Sequence, residues 1–492
     1  MKNFPMIDMH AIARQAMTRY GFEPYFPVRV LEEVQSLKDL GASGAFSSKE
    51  ENARDLGSFL WSSIDNAESM DLDQLEYCER LPNSEIRIMV AIADVDEYVA
   101  KGSFCDRHAS HNGTSVYTGV ETFPMLPQRL SWDLSSLKQD EERLAVVIDF
   151  FVLPDGSIRF NDVYRAVVLN KAKLVYESVG DWLEGKGPIP EQVKTIEGLE
   201  EQLRLQEEAS KRLHKFRTDN GALELETIEA SPVVKENEVV DLVVKKKNQA
   251  RMIIENFMIA ANGTMVWFLG KKGSPMIQRI VRTPERWMKI TQIASSLGES
   301  LPPEPDPRAL SDFLSKRQSV DPDHFPDLSL TIVKLLGPGE YVLAEGSKST
   351  PGHFGLAVAD YTHSTAPNRR YVDLVIQRLL KAVLSKEKTP YAKIELNSLA
   401  QWCTERDKAS KKVERFMRKV AACVLLRNRV GEVFSAIVTG ASEKGTYARL
   451  LSPPVEGRIV QGEKGMEVGQ KVRVRLVRLE PEKGFIDFER GE

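Results

Sequence analysis

The chain has 492 residues, 42% of them hydrophobic and 28% charged, with a formal net charge of -4. That is room for about two to four domains, with the balance of an ordinary globular protein rather than a disordered or fibrous one. No apolar run reaches the roughly 18 residues of a bilayer-spanning helix, and no apolar stretch with a small-residue cleavage site opens the chain. Cys78, Cys105, Cys403 and Cys423 form no CxxC pair, so the expectation is a cytoplasmic protein with reduced thiols and no membrane contact.

Residues 1–52 read as a small helical module. One helical pattern runs from about Met9 to Tyr20 and stops at Gly21; a second runs from about Pro27 to Leu40 and stops at Gly41. The pair is compatible with a minimal helix-turn-helix, although two such helices more often simply pack on the domain that follows.

The stretch from Trp61 to Glu76 carries the strongest chemistry. Ser62-Ser63-Ile64 reads as the end of a strand and Asn66 to Ser69 as a turn. Asp71-Leu72-Asp73 is an extended return in which the two aspartates share a face while Leu72 points inward. Asp65 is thereby brought back beside Asp71 and Asp73. Three converging carboxylates repel one another and resist burial unless a cation neutralises them. An oxygen-only donor set suits magnesium or manganese rather than zinc. A solvated acidic turn is the plain alternative. An EF-hand is excluded, because Leu75 and Glu76 stand where that loop needs an oxygen ligand and a glycine.

Residues 55–175 are mostly strand-forming, and helices dominate after them. Ile196 to Lys215 suits a long charged surface helix. Val243 to Leu269 has a basic entry at Lys245, Lys246 and Lys247, followed by a run apolar nearly all round, which predicts a buried helix. Glu255 within it reads as a buried carboxylate needing a partner, with Arg279 or Arg282 as structural candidates. Leu301 to Asp327 is a Pro- and Asp-rich connector. Tyr361 to Asn368 is a loop, and Arg369 to Leu384 is helical, so Arg369 and Arg370 fall in a first turn where cations oppose the helix dipole. That cost is explained if they face phosphate or the acidic group. His353 and His363 are read as structural. Glu395 to Arg429 is a second long helix with a basic latter half. From Val430 the period switches to five short alternating strands, the pattern of an OB-fold barrel. Phe434 and Phe485 are read as its core.

Four motifs in order carry a resemblance: Asp65-x5-Asp71-x-Asp73; Ala91-Ile92-Ala93-Asp94-Val95; Thr114-Ser115-Val116-Tyr117 with Pro124 to Pro127 and Leu130 to Leu137; and His353-Phe354-Gly355-Leu356 with Tyr361 to Leu374. Over about residues 55–385 they resemble the RNase II/RNase R family of exoribonucleases. The spacing of GTYARL, VEGRI and VGQKVRVRL resembles the RNA-binding OB-fold that closes those enzymes, and this implies that Tyr447, Arg449, Arg458 and Lys471 supply its stacking and charged surface for single-stranded RNA. The resemblance implies an α+β fold: an RNB-type mixed sheet/barrel catalytic core with surrounding helices over 53–429, behind the small N-terminal helical module, and a five-stranded OB-fold barrel over 430–492. It implies a monomer that hydrolyses single-stranded RNA from the 3' end to nucleoside 5'-monophosphates with magnesium, or manganese in its place. Asp65, Asp71 and Asp73 would hold the metal. Arg369, helped by Arg370, would neutralise phosphoryl charge, Tyr117 would clamp a terminal base, and Glu255 would lie near the RNA-holding cavity. One position departs from the family pattern. Gln74 stands at its fourth acidic position, where a carbonyl oxygen can still ligate but one negative charge is lost. The competing expectation is therefore a catalytically weak RNA-binding relative. Roughly fifty N-terminal residues cannot hold the two cold-shock-type barrels of RNase II, which implies a more open channel mouth and tolerance of duplex nearer the 3' end.

Overall fold

A computed structural model describes residues 7–39, 53–226, 230–235, 238–244, 247–322, 324–345, 352–442 and 445–491. Two helices lead, α1 (Met9–Arg19) and α2 (Val28–Ser36). Asp8 caps α1 by accepting from Ala11 N at 2.9 Å. Met9, Ala13, Ala16 and Met17 recur at helical spacing and are buried on one face. The module packs on the rest of the chain rather than standing free as a helix-turn-helix. Leu40 and Gly41, where the second helix was expected to end, lie outside the described residues.

The catalytic-type core is a sheet that closes on itself. Strands β1 (Arg54–Asp55), β2 (Trp61–Asp65), β3 (Gln74–Arg80) and β4 (Ile86–Ala93) are followed by helix α3 (Phe104–Asn112) and a hairpin of β5 (Val116–Tyr117) and β6 (Thr122–Phe123). Then come β7 (Glu142–Val152) and β8 (Ile158–Val175). The order is β1-β8-β2-β3-β4-β7, and β8 also pairs with β7. Eighteen residues give β8 the reach to do both: residues 158–169 run antiparallel to β7, and residues 170–175 run parallel to β2. The mixed sheet/barrel that the resemblance implied is what forms.

Helices α4 (Tyr176–Leu183), α5 (Glu191–Thr195), α6 (Leu199–Asp219) and α7 (Gln249–Lys271) cover this core, and β9 (Ala230–Lys235) and β10 (Glu238–Val244) form a hairpin between the last two. By length and composition α7 could cross a bilayer, yet 72% of its most apolar window is buried inside the protein. It is a core helix. Glu255 is a correction: it is exposed and pairs with Lys247 at 2.9 Å. The supposed partners are engaged elsewhere, Arg279 with Asp407 and Arg282 with Glu340. The run from Ala250 to Asn262 is apolar on most sides, but Glu255 falls on the stripe with Arg251 that the core leaves open. Lys245 and Lys246 lie outside the described residues.

Strands β11 (Met276–Ile280) and β12 (Glu340–Ala344) pair antiparallel. The chain between them forms α8 (Trp287–Ser296), α9 (Pro307–Val320) and α10 (Phe325–Leu336) around their own apolar cluster of Trp287, Ile290, Leu310, Phe313, Phe325 and Ile332. Helices α11 (Tyr371–Leu384) and α12 (Lys393–Leu426) complete the domain. The last 60 residues form β13 (Val433–Ser442), β14 (Gly445–Leu450), β15 (Glu456–Gln461), β16 (Lys471–Glu480) and β17 (Phe485–Arg490), a closed barrel in the order β13-β14-β15-β17-β16. Phe434 is in its core as expected, but Phe485 is half exposed, since the inward positions of β17 are Ile486 and Phe488.

The barrel is fastened to the helical insertion by a buried ion pair. Arg449 Nη1 lies 2.7 Å from Asp327 Oδ1, with both side chains about a tenth exposed. Removing one partner strands the other charge away from water, at a cost of about 3–5 kcal/mol. Asp327→Ala is therefore expected to lower unfolding free energy by about 3 kcal/mol in denaturant titrations, while Asp327→Leu combined with Arg449→Met loses much less. Equal losses in the two proteins would refute this account of the joint.

Candidate active site

The acidic stretch folds as its pattern dictates. β2 and β3 are antiparallel with Ser62 opposite Glu76, a register that, continued, sets Asp65 across from Asp73. Asp65 Oδ1 accepts from Asn66 N and Ser69 Oγ, both at 2.7 Å, and so closes the turn. Leu72 enters the main core. Leu72 N donates to Ser136 Oγ at 3.1 Å, Leu137 N to Leu72 O at 3.0 Å, and Ala93 N to Asp73 O at 3.0 Å. These bonds hold the extended return in place. Asp71 is half-buried and Asp73 is 2% exposed.

The second half of the site comes from the loop before α11. Asn262 accepts from Ser364 N at 2.8 Å and Ser364 Oγ at 2.9 Å, Thr362 Oγ1 donates to Ile277 O at 2.6 Å, and Ala366 N donates to Asp373 Oδ1 at 2.8 Å. Arg369 then reaches Asp73, Nε to Oδ2, at 3.1 Å, with 46% of its own side chain exposed. The helix was expected to start at Arg369; it starts at Tyr371, because Arg369 N and Arg370 N both donate to Ala366 O in a turn of their own. Arg370 is a second correction. Its guanidinium is bound by Asp373, Nε at 2.9 Å and Nη2 at 2.8 Å, so its charge is engaged in fixing the loop. His363 is buried, bonded to Tyr341 OH at 2.7 Å and held well below its usual range by burial and nearby arginines. His353 is pushed down to about 4 by burial. Burial thus favours the neutral form of both rings.

The charges act on one another. Burial, opposed by Arg369 and reinforced by Asp71, Asp65 and Asp373, pushes the Asp73 carboxyl up to about 7. Asp71 is raised by burial, again against the pull of Arg369. Arg369 is held firmly charged by Asp73, Tyr117 and the other aspartates. Tyr117 is 44% exposed rather than a core residue, and its phenol interacts electrostatically with Arg369, Asp71 and Asp73. Asp65, Asp71, Asp73, Arg369 and Tyr117 are thus one group.

Three further residues belong beside it. Tyr176, first in α4, is influenced by Asp65, Glu76, Arg369 and Arg251. Arg251 donates to Asn66 Oδ1 at 3.1 Å and pairs with Glu177 at 2.8 Å. Glu76 is fully buried, neither of its carboxylate oxygens has a hydrogen-bond partner, and burial next to Asp65 raises its carboxyl well above the usual range. Strand alternation puts Gln74 and Glu76 on one face, and Gln74 is buried at the head of β3. Nothing in one sequence marks Tyr176 as near the aspartates, because the closure of β8 on β2 brings it there; Glu76 lies three residues after Asp73 and meets β2 through the β2–β3 register.

The donor set fits a hard divalent cation. Asp73 Oδ1 is buried without a hydrogen-bond partner, and its neighbours are carboxylates. Among the described residues no three acidic, histidine or cysteine side chains are close enough to hold a metal as they stand. Binding would have to draw the aspartates together.

On the barrel, Tyr447 and Arg458 are register partners on the outer face, and Arg458 and Lys471 are exposed. Arg449 shares that face but is engaged with Asp327 instead of lying open to a ligand.

Comparison with known proteins agrees with this layout. The RNB domain family matches residues 53–386, and the RNase II-type exonuclease C-terminal S1 domain matches 432–491. Ribonuclease R of Thermotoga maritima is 30% identical over 472 residues, covering 88% of this chain; the chain spans 64% of that protein's length. The structure of Mycoplasma genitalium RNase R in complex with ribose methylated single-stranded RNA superposes with a TM-score of 0.88 at 22% identity, covering 98% of this chain and 78% of that one. Yeast Ssd1, described as a pseudonuclease, superposes at 0.70 with 16% identity, covering 97% and 59%. With two thirds of its length matched by the RNB domain and that domain's usual barrel partner behind it, the chain belongs to the RNB-domain family of RNase II and RNase R.

Proposed function

We propose that the chain is a 3'-to-5' exoribonuclease that hydrolyses single-stranded RNA to nucleoside 5'-monophosphates with magnesium, working as a cytoplasmic monomer. The observation that carries this reading is the Asp73–Arg369 pair, a buried carboxylate with one oxygen unpartnered beside a half-exposed guanidinium and a tyrosine ring. Asp65, Asp71 and Asp73 would hold the cation, with the Gln74 carbonyl as a fourth donor. Bound there, magnesium supplies an activated water and neutralises charge on the scissile phosphate. Arg369 keeps free donors for the phosphoryl oxygens, where charge grows toward the transition state. The Tyr117 ring has an open face for the terminal base, and Tyr447, Arg458 and Lys471 offer a stacking and charged surface upstream. Arg370 and Glu255 serve the loop and the helix surface rather than the reaction.

A second reading, a weakly catalytic RNA-binding protein, is favoured by Gln74, which leaves the site one carboxylate short of the family pattern. The two readings separate on a 5'-labelled single-stranded RNA incubated with magnesium. The nuclease reading expects a ladder shrinking from the 3' end, abolished in Asp73→Asn and slowed about 10²–10³-fold in Arg369→Ala. RNA bound but uncut by wild type would establish the second reading.

The charge arrangement makes a separate prediction in metal-free buffer. The folded Asp73 carboxyl, at about 7, lies above its usual value of 3.8, so between the two the folded chain holds a proton that the unfolded chain has lost. This group therefore stabilises the fold less and less as pH rises through that window. Metal-free Asp73→Asn should melt a few degrees above wild type at pH 8, at roughly 2–4 °C per kcal/mol, with the gap narrowing toward pH 5. A gap that ignores pH would refute it.

A further inference from the structure

The helix that opens the chain plays no part in that chemistry, yet it is tied to it. His10 Nδ1 lies 3.1 Å and Arg14 Nη2 3.5 Å from the same atom, Glu121 Oε2. Glu121 belongs to the turn between β5 and β6, where Thr118 N donates to Glu121 O at 3.2 Å and Glu121 N to Thr118 Oγ1 at 3.0 Å. Gly119 takes φ +82° in this turn, and a Cβ there would lie 2.5 Å from Pro232 Cγ, so the hairpin also abuts β9. Beneath the ion pair, Val116 and Phe123 share one apolar cluster with Met9, Ala13 and Met17 of α1 and Val413 and Met417 of α12.

The other flank of the hairpin is bonded to the chain that carries Arg369. Ser115 N donates to Arg369 O at 2.9 Å, Thr114 Oγ1 to the same oxygen at 3.1 Å, and Tyr371 N to Gly113 O at 3.0 Å. One block therefore joins α1, the ring of Tyr117 and the backbone of Arg369. The hairpin has only two residues per strand, far too few to hold its own shape. Its position is set by what packs on it.

We propose that α1 is a positioning element for the active site: through His10, Arg14 and Glu121 it fixes the hairpin so that Tyr117 stays beside Arg369 and grips the 3'-terminal nucleotide of RNA. His10, Arg14 and Glu121 are positioning residues and touch no reacting atom. The identity of what is gripped rests on the exoribonuclease reading; the bracing of the hairpin does not.

Two measurements test the two parts. In hydrogen–deuterium exchange on the full chain, Glu121→Ala should speed exchange across residues 115–123 several-fold and leave β13 to β17 unchanged. Unchanged protection at 115–123 would overturn the bracing, whether or not the protein cuts RNA. In steady-state cleavage of a short single-stranded RNA, Glu121→Ala should raise KM about three- to five-fold, the reach of a partly exposed ion pair, with kcat within about two-fold. The same substitution in a Tyr117→Ala background should add nothing further. Multiplying effects, or a fall in kcat alone, would overturn the proposed route through Tyr117. A protein that leaves RNA intact while showing the exchange effect would refute the RNA clause and keep the brace.

Discussion

Mutual repulsion among Asp65, Asp71 and Asp73 is the constraint that the surrounding fold has to satisfy. Three carboxylates within nine residues do not stay together on their own account, and burial makes the ionised form of Asp73 costlier still. What keeps them in place is backbone: the β2–β3 register, the Asp65 turn, and the bonds from Leu72, Ala93 and Leu137 that leave the extended return no slack. Among the described residues Arg369 is the single cation at hydrogen-bonding range of Asp73, and its loop is fixed in turn by Asn262, Ile277 and Asp373. Glu76, fully buried two residues beyond Gln74, does not restore the charge lost there, since burial beside Asp65 raises its carboxyl well above the usual range.

Whatever depended on short-range pattern could be read from the chain. Alternation over residues 55–175 and 430–492 announced the strands and the closed barrel, and the Asp65-to-Asp73 spacing announced the acidic group, because a turn between two extended segments can fold in only a few ways. The misreadings share a physical origin. Helical periodicity in α7 says how wide the apolar surface is but not which narrow stripe stays wet, and Glu255 lay on that stripe. Arg449 alternates correctly with the other outward residues of β14, yet its partner Asp327 is 122 residues away in a helix whose docking no local pattern encodes. Arg370 and Arg369 are adjacent and alike in composition. Only the position of Asp373, one helical turn on, separates the one that braces the loop from the one that faces the aspartates.

Placement of the N-terminal helix follows the same logic. Its sequence predicted two amphipathic helices and left open what they cover. The apolar face of α1 lies on α12, and that contact includes the β5–β6 hairpin, so the module packs on the following domain, the commoner outcome for such a pair.

Helix α12 connects these observations. Its 34 residues make a continuous rod about 50 Å long. Ala409, Val413, Met417 and Val420 pack with α1 and the hairpin, and Ala422, Cys423 and Leu426, within the next two turns, enter the core of the C-terminal barrel. Tyr117 and the barrel are therefore mounted on adjacent turns of one stiff beam. The distance between the two mounts is a ruler set by the helix itself. Lengthening that ruler would require bending the rod or unseating Arg449 from Asp327.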